Sequence, residues 1–232
     1  MEKNFSIGDA VSFSWDVMKT NLGFWLPTVL IFWVAGSIPA GIQSMSIYMS
    51  DAAGAIWMAL FGLVSFAIGI FVHIAQVNVS LKFCSGETAD FPDLIAKYQK
   101  FLDVLLGTIL YGLLVTAGFI LLIIPGIYWA VRYQFFAYLI IDQDMGPVDA
   151  IKRSGQLTRG VWWHVFGLGW TLFGIYLLGL LACCVGLLFA VPVMAVTTAY
   201  VYRTLLAATP GEMPVPAPEL QPQPPEALPP AQ

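Results

Sequence analysis

The sequence predicts an all-α membrane protein: six transmembrane helices in three hairpins, each hairpin preceded by an amphipathic interfacial helix. Three observations carry this reading. Hydrophobic residues make up 59% of the chain and charged residues 10%, against about 25% charged in a soluble domain. No Asp, Glu, Lys or Arg occurs in 20–50, 52–81, 104–131 or 160–202, and a span needs about 20 apolar residues. Three segments that precede these runs share one pattern of cap, acid and apolar face.

The spans fall at roughly 22–41, 55–79, 102–124, 127–143, 161–180 and 185–205. Pro27, Pro39 and Pro192 lie inside them, and a bilayer helix tolerates proline because neighbouring helices re-satisfy the freed backbone groups. Residues 1–21 hold Glu2, Asp9 and Asp16 and read as an amphipathic helix, not the short basic region that opens a signal peptide. The transmembrane domain covers 1–206, in repeat units of about 6–82, 90–142 and 146–206. Residues 207–232 form a Pro-rich C-terminal tail without basic residues, which cannot bury a core and is expected to be disordered.

The repeat is legible at three helix starts. Ser6, Asp90 and Gly146 are cap candidates, each followed three residues later by an acid: Asp9, Asp93 and Asp149. Ser, Asp and Gly all suit a helix cap. A carboxylate in the first turn meets unpaired N–H groups and the positive end of the helix dipole. Pro92 and Pro147 fall in first turns, where proline is accepted. In the first copy Ile7, Ala10, Val11, Ser14, Trp15 and Met18 lie at helical spacing and define one apolar face. Such helices lie in the headgroup plane, as anchors or as a docking surface for a protein partner.

Lys and Arg set the orientation. Lys3, Lys19, Lys82, Lys97, Lys100, Lys152, Arg153, Arg159 and Arg203 occupy one set of connections, and the opposite turns near 42–54, 124–127 and 181–184 carry none. The basic side is cytoplasmic. The expectation is a multi-pass protein of a bacterial inner membrane with both termini in the cytoplasm. Cys183 and Cys184 stand together at an outer turn, either as a strained vicinal disulfide or metal contact, or as two small residues packing a helix end.

One charge interrupts the apolar runs. Arg132 follows the Pro125-Gly126 turn, flanked by Tyr128, Trp129 and Tyr133. Six residues past Gly126 is about 9 Å along a helix, which places it at membrane depth, where a charge is expensive. Either it snorkels outward past the aromatic belt or binds carbonyls at the broken end of the third span, or it meets an anionic ligand or lipid phosphate. Asp51 is the nearest acid expected to pair with it. His73, Gln76 and Asn78 form a second polar patch in the second span, as a proton relay or substrate path, or as interhelical hydrogen bonds. His164, beside Trp162 and Trp163, reads as interfacial.

No phosphate-binding loop, metalloprotease motif, nucleophile elbow or basic stripe for nucleic acid is present. No enzyme activity, cofactor or metal is expected. The partners are membrane lipids and a protein at the cytoplasmic face, and the function is a non-enzymatic scaffold or regulator. The alternative is a small transporter or channel for an anionic solute or lipid, with Arg132, His73 and Gln76 on its path.

The segments "FSIGDAVSFSWDVMKTNLGFWLP", "IIPGIYWAVRYQFFAYLIIDQDMGPVDAIKRSGQLTRGVWWHVFG" and "CCVGLLFAVPVMAVTTAYVYR" resemble a broad group of uncharacterised bacterial six-helix membrane proteins. That group is similar to the membrane domain fused to some glycerophosphodiester phosphodiesterases. The resemblance spans about residues 5–205. It implies the same six-helix fold and transfers no catalytic residue, since the phosphodiesterases carry catalysis in a separate barrel domain. Arg132 matches the arginine of the central motif.

Overall fold

The computed structural model describes residues 6–182 and 185–209. The expectations for Cys183-Cys184 and for the tail from Pro210 onward lie outside the described residues. Every regular element described is helical: α1 (Ile7–Thr20), α2 (Leu22–Gln43), α3 (Asp51–Cys84), α4 (Phe101–Leu121), α5 (Ile123–Tyr133), α6 (Phe136–Asp142), α7 (Pro147–Leu157), α8 (Trp162–Leu181) and α9 (Val185–Ala207). Among the described residues five segments are long and apolar enough to cross a membrane: Leu22–Tyr48, Asp51–Cys84, Phe91–Leu121, Trp162–Leu181 and Gly186–Ala207. The internal prolines Pro27, Pro39 and Pro192 do not end their helices.

The structure departs from the sequence expectation in two places. The span placed at 127–143 is two short helices, α5 of 11 residues and α6 of 7. At 1.5 Å per residue neither exceeds about 17 Å, so neither crosses alone. Tertiary packing overrides the apolar run: Phe136 to Ile141 are all buried, as expected of a helix that is apolar all round. The second interfacial helix, expected to start at Asp90, is instead two 3-10 turns at Phe91–Leu94 and Tyr98–Lys100. Asn78 Nδ2 donates to the Asp93 carbonyl (2.9 Å) and Lys82 Nζ bonds the Asp93 carboxylate (2.6 Å). These ties to α3 occupy a carbonyl that a regular helix would use for its own ladder.

α2 packs on α3, α4 on α5 and α8 on α9. The buried core gathers toward the basic end, where α6 sits among Ile74 and Val77 of α3, Val104 of α4 and Tyr202, Leu205 and Leu206 of α9. α1 buries Ala10, Phe13, Ser14, Val17 and Met18, and leaves Trp15 outward. It is fastened to α9: Thr197 Oγ1 lies 2.9 Å from Ser14 Oγ, and the Phe13 and Tyr200 rings are 5.0 Å apart. Toward the other end α3, 34 residues long, extends about 50 Å, and its first half contacts chiefly α2. There Trp57 Nε1 donates to the Ile42 carbonyl (3.0 Å), and large side chains such as Trp33, Ile47, Ile56 and Leu63 face outward.

Ion pairs tie the connections at the basic end. Lys100 Nζ lies 3.0 Å from Asp144, and that hydrogen bond holds the Asp144 carboxyl below its usual value. Asp144 itself adopts a left-handed backbone, φ 53°, a conformation Asp tolerates better than most residues.

Candidate functional site at the α5–α6 break

The site starts with a close helix pair. A Cβ on Gly118 would lie 2.8 Å from the Gly126 Cα and 2.9 Å from the Trp129 ring. Hydrogen at these positions lets α4 and α5 approach backbone to backbone, the usual role of small residues between membrane helices. Leu122, extended at φ −169° and ψ 157°, turns the chain between them. α5 then runs back toward the basic end, with Arg132 in its last turn. A cation there meets the negative end of the helix dipole.

After Arg132 the helix breaks, and α7 takes over the freed backbone groups. Ser154 Oγ accepts from the Phe135 N–H (3.1 Å) and donates to the Arg132 carbonyl (3.2 Å). Thr158 Oγ1 lies 3.1 Å from both the Arg132 and the Ser154 carbonyls. Hydroxyls i and i+4 on one helix thus hold the break closed, one of the ways in which interrupted helices survive without water.

The guanidinium of Arg132 sits in an aromatic frame. Its Cζ is 5.5 Å from the Tyr128 ring and 5.8 Å from the Tyr133 ring, within cation–π range. Nη1 donates to Tyr128 Oη at 2.8 Å. Gly155 of α7 forms the floor: a Cβ there would lie 2.9 Å from Tyr133 Cε1 and 3.3 Å from Arg132 Nε. Among the described residues Arg132 forms no ion pair, with Asp51 or any other acid. Its Nε and the Trp162 Nε1 are buried without acceptors. Tyr128 leans on Trp162 at 5.6 Å, and Trp162 stacks on Phe166 at 5.1 Å and 11°. Arg132 therefore reaches toward α7 and the start of α8, at the basic end. Among the described residues no carbonyl at the end of α4 accepts from it; its one side-chain bond runs to Tyr128.

Of the three residues grouped with Arg132, Tyr128 and Tyr133 stand with it and Trp129 does not, because its ring covers Gly118. The polar patch of α3 divides as well. Asn78 is buried and serves the Asp93 carbonyl. His73 is exposed on the helix surface and Gln76 half-buried. At the helix starts, Ser6 Oγ accepts from the Asp9 N–H (3.2 Å). Asp90 N–H donates to Asp93 Oδ2 (2.9 Å), and Gly146 is extended ahead of Pro147. Asp149 lies 3.7 Å from Lys152 on the surface. No group of three or more His, Cys, Asp or Glu side chains among the described residues is placed to hold a metal.

The sequence family described as Protein of unknown function (DUF975) matches residues 63–209. The chain belongs to that family. It is also similar to the uncharacterized protein Mb2590 of Mycobacterium bovis, at 30% identity over 241 residues, covering 92% of this chain and 73% of that one. The uncharacterized protein Rv2560 of Mycobacterium tuberculosis matches at 30% over 246 residues, with the same coverage of each chain. No solved structure matches. The region shared with the family holds the whole Arg132 site, from Gly118 to Trp162.

Sequence reasoning missed Ser154, Thr158 and Trp162 as parts of this site. The signal was present in "SGQLT": Ser154, Gly155 and Thr158 share one face of a helix, a polar face where an anchor alone would show leucines. It also missed a second polar cluster. Arg203 Nη2 pairs with Asp142 Oδ1 (2.9 Å), and Tyr202 Oη donates to Asp142 Oδ2 (2.9 Å).

Proposed function

We propose that this is a non-enzymatic membrane protein that acts through its lipid surroundings, with Arg132 as a contact for an anionic lipid headgroup. The observation that carries the reading is the Arg132 guanidinium, framed by Tyr128 and Tyr133 and without an acidic partner among the described residues. A guanidinium is a strong phosphate donor, and a headgroup phosphate supplies the missing counter-charge. An apolar groove of about 750 Å³ between α1, α8 and α9, lined by Ile7, Val11, Ile175, Phe189 and Val193, supports the same reading, since it suits hydrocarbon. In this proposal the basic ends face the cytoplasm of a bacterium across its inner membrane, both termini lie there, and a protein partner docks on that face. The resemblance to the membrane domain fused to glycerophosphodiester phosphodiesterases belongs to the same proposal.

The test is native mass spectrometry of the protein in nanodiscs containing phosphatidylglycerol, wild type beside Arg132→Gln. The expected result is retained anionic lipid on the wild type and its loss on the variant. Identical spectra would remove Arg132 as a lipid contact.

A transporter for an anionic solute is the second reading, favoured by the interrupted α5–α6 segment, because discontinuous helices line substrate sites in transporters. A cysteine at 132 that water-soluble thiol reagents reach from both sides in turn would favour transport. One that they never reach would exclude a path through the site.

A further inference from the structure

A second polar site is built at the basic end from residues other than those around Arg132. The ends of α3, α6 and α9 enclose a polar cleft of about 130 Å³. Lys82, Lys97 and Arg203 line it, together with Ser85, Glu87 and Asp142. Its anchoring charge is fixed: the Arg203 and Asp142 side chains are 13% and 15% exposed and lie 2.9 Å apart. Arg203 Nη2 also donates to Ser85 Oγ (3.2 Å). Both Asp142 oxygens are taken, one by Arg203 and one by Tyr202, so that carboxylate has little left to offer a cation.

The donors are not exhausted in the same way. Arg203 Nε is buried with no acceptor. Lys97 forms no ion pair among the described residues, and Lys82 spends one bond on Asp93 (2.6 Å) and retains two N–H groups. Lys97 and the two remaining Lys82 N–H groups line one small polar space, and such charge-assisted donors recruit oxyanions. The volume equals roughly four water shares of about 30 Å³ each, which suits one tetrahedral oxyanion. We propose that this cleft binds a single phosphate group, held by Lys97, Lys82 and Arg203, with Glu87 as an opposing charge on its exposed rim. The phosphate belongs either to free inorganic phosphate or to the headgroup of a membrane lipid. The inference does not depend on the role given to Arg132.

The test uses the full chain in nanodiscs of zwitterionic lipid. Thermal unfolding is followed against inorganic phosphate for wild type, Lys97→Gln and Glu87→Gln, each with and without Arg132→Gln. Among the described residues Lys97 and Glu87 carry no ion pair, so their variants should fold, whereas Arg203→Gln would break a partly buried pair. Phosphate is expected to raise the unfolding temperature of the wild type. Lys97→Gln should weaken the apparent affinity about tenfold and Glu87→Gln should tighten it, on the Arg132→Gln background as on the wild type. If inorganic phosphate has no effect but native mass spectrometry in nanodiscs containing phosphatidylglycerol finds one bound lipid fewer on Lys97→Gln than on the wild type, a loss that adds to that of Arg132→Gln, the site stands and the phosphate is a lipid headgroup. Neither response, no change in Lys97→Gln, or weaker binding by Glu87→Gln would overturn the proposal.

Discussion

Ser154 decides more of the local geometry than any apolar residue near it. Its single hydroxyl serves two backbone groups across the α5–α6 break, the Phe135 N–H and the Arg132 carbonyl. Thr158 reaches the same carbonyl, so the two side chains are coupled. Removing one hydroxyl leaves a buried backbone group under-satisfied, at about 1–3 kcal/mol. Ser154→Ala is therefore expected to destabilise more than Thr158→Ala. The double variant should lose more than the sum, because each hydroxyl partly replaces the other at the carbonyl and only the double variant leaves it without a side-chain donor. Chemical denaturation in detergent, run as a double-mutant cycle, measures this. Additive losses would mean that the hydroxyls act separately. Arg132 was legible as an anomaly in the sequence, because one charge in an apolar run stands out. Its surroundings were not legible, because Gly155 and Trp162 come from other elements.

At the scale of elements, glycine contacts set the turns. Gly118 meets Gly126 between α4 and α5, and a Cβ on Gly186 would lie 2.6 Å from the Gly179 carbonyl oxygen between α8 and α9. Gly118→Ala is expected to force α4 from α5 and to destabilise by about 1–3 kcal/mol, the range for overpacking. Gly112→Ala, with nothing within 4 Å of its Cβ, should be close to neutral. Unfolding midpoints of the two variants compare them directly, and equal midpoints would deny Gly118 a packing role. The helix starts were readable because a cap is a local event within four residues. The second interfacial helix was misread because Asn78 and Lys82 of α3 redirect the backbone groups and carboxylate of Asp93 from outside the segment.

At the scale of the molecule, one end is basic and the other lacks Lys and Arg. In the proposed orientation, which follows the positive-inside rule, the basic end faces the cytoplasm. On a background with the native cysteines replaced, Ile47→Cys is expected to label from outside intact cells, and Lys97→Cys only after permeabilisation. The reverse labelling would invert the orientation. The sequence by itself determined the all-helical character, five of the six apolar spans read from it, the prolines they absorb and the helix starts at Ser6 and Gly146. Each of these follows from composition or from contacts within a few residues. Only the tertiary structure decided that 127–143 breaks into α5 and α6, that Arg132 turns to α7, and that Arg203, Asp142 and Tyr202 meet. Those outcomes depend on which distant side chains are present to take over backbone groups and charges. In an interior without water, that supply of partners, more than the apolar run itself, determines where a helix stops.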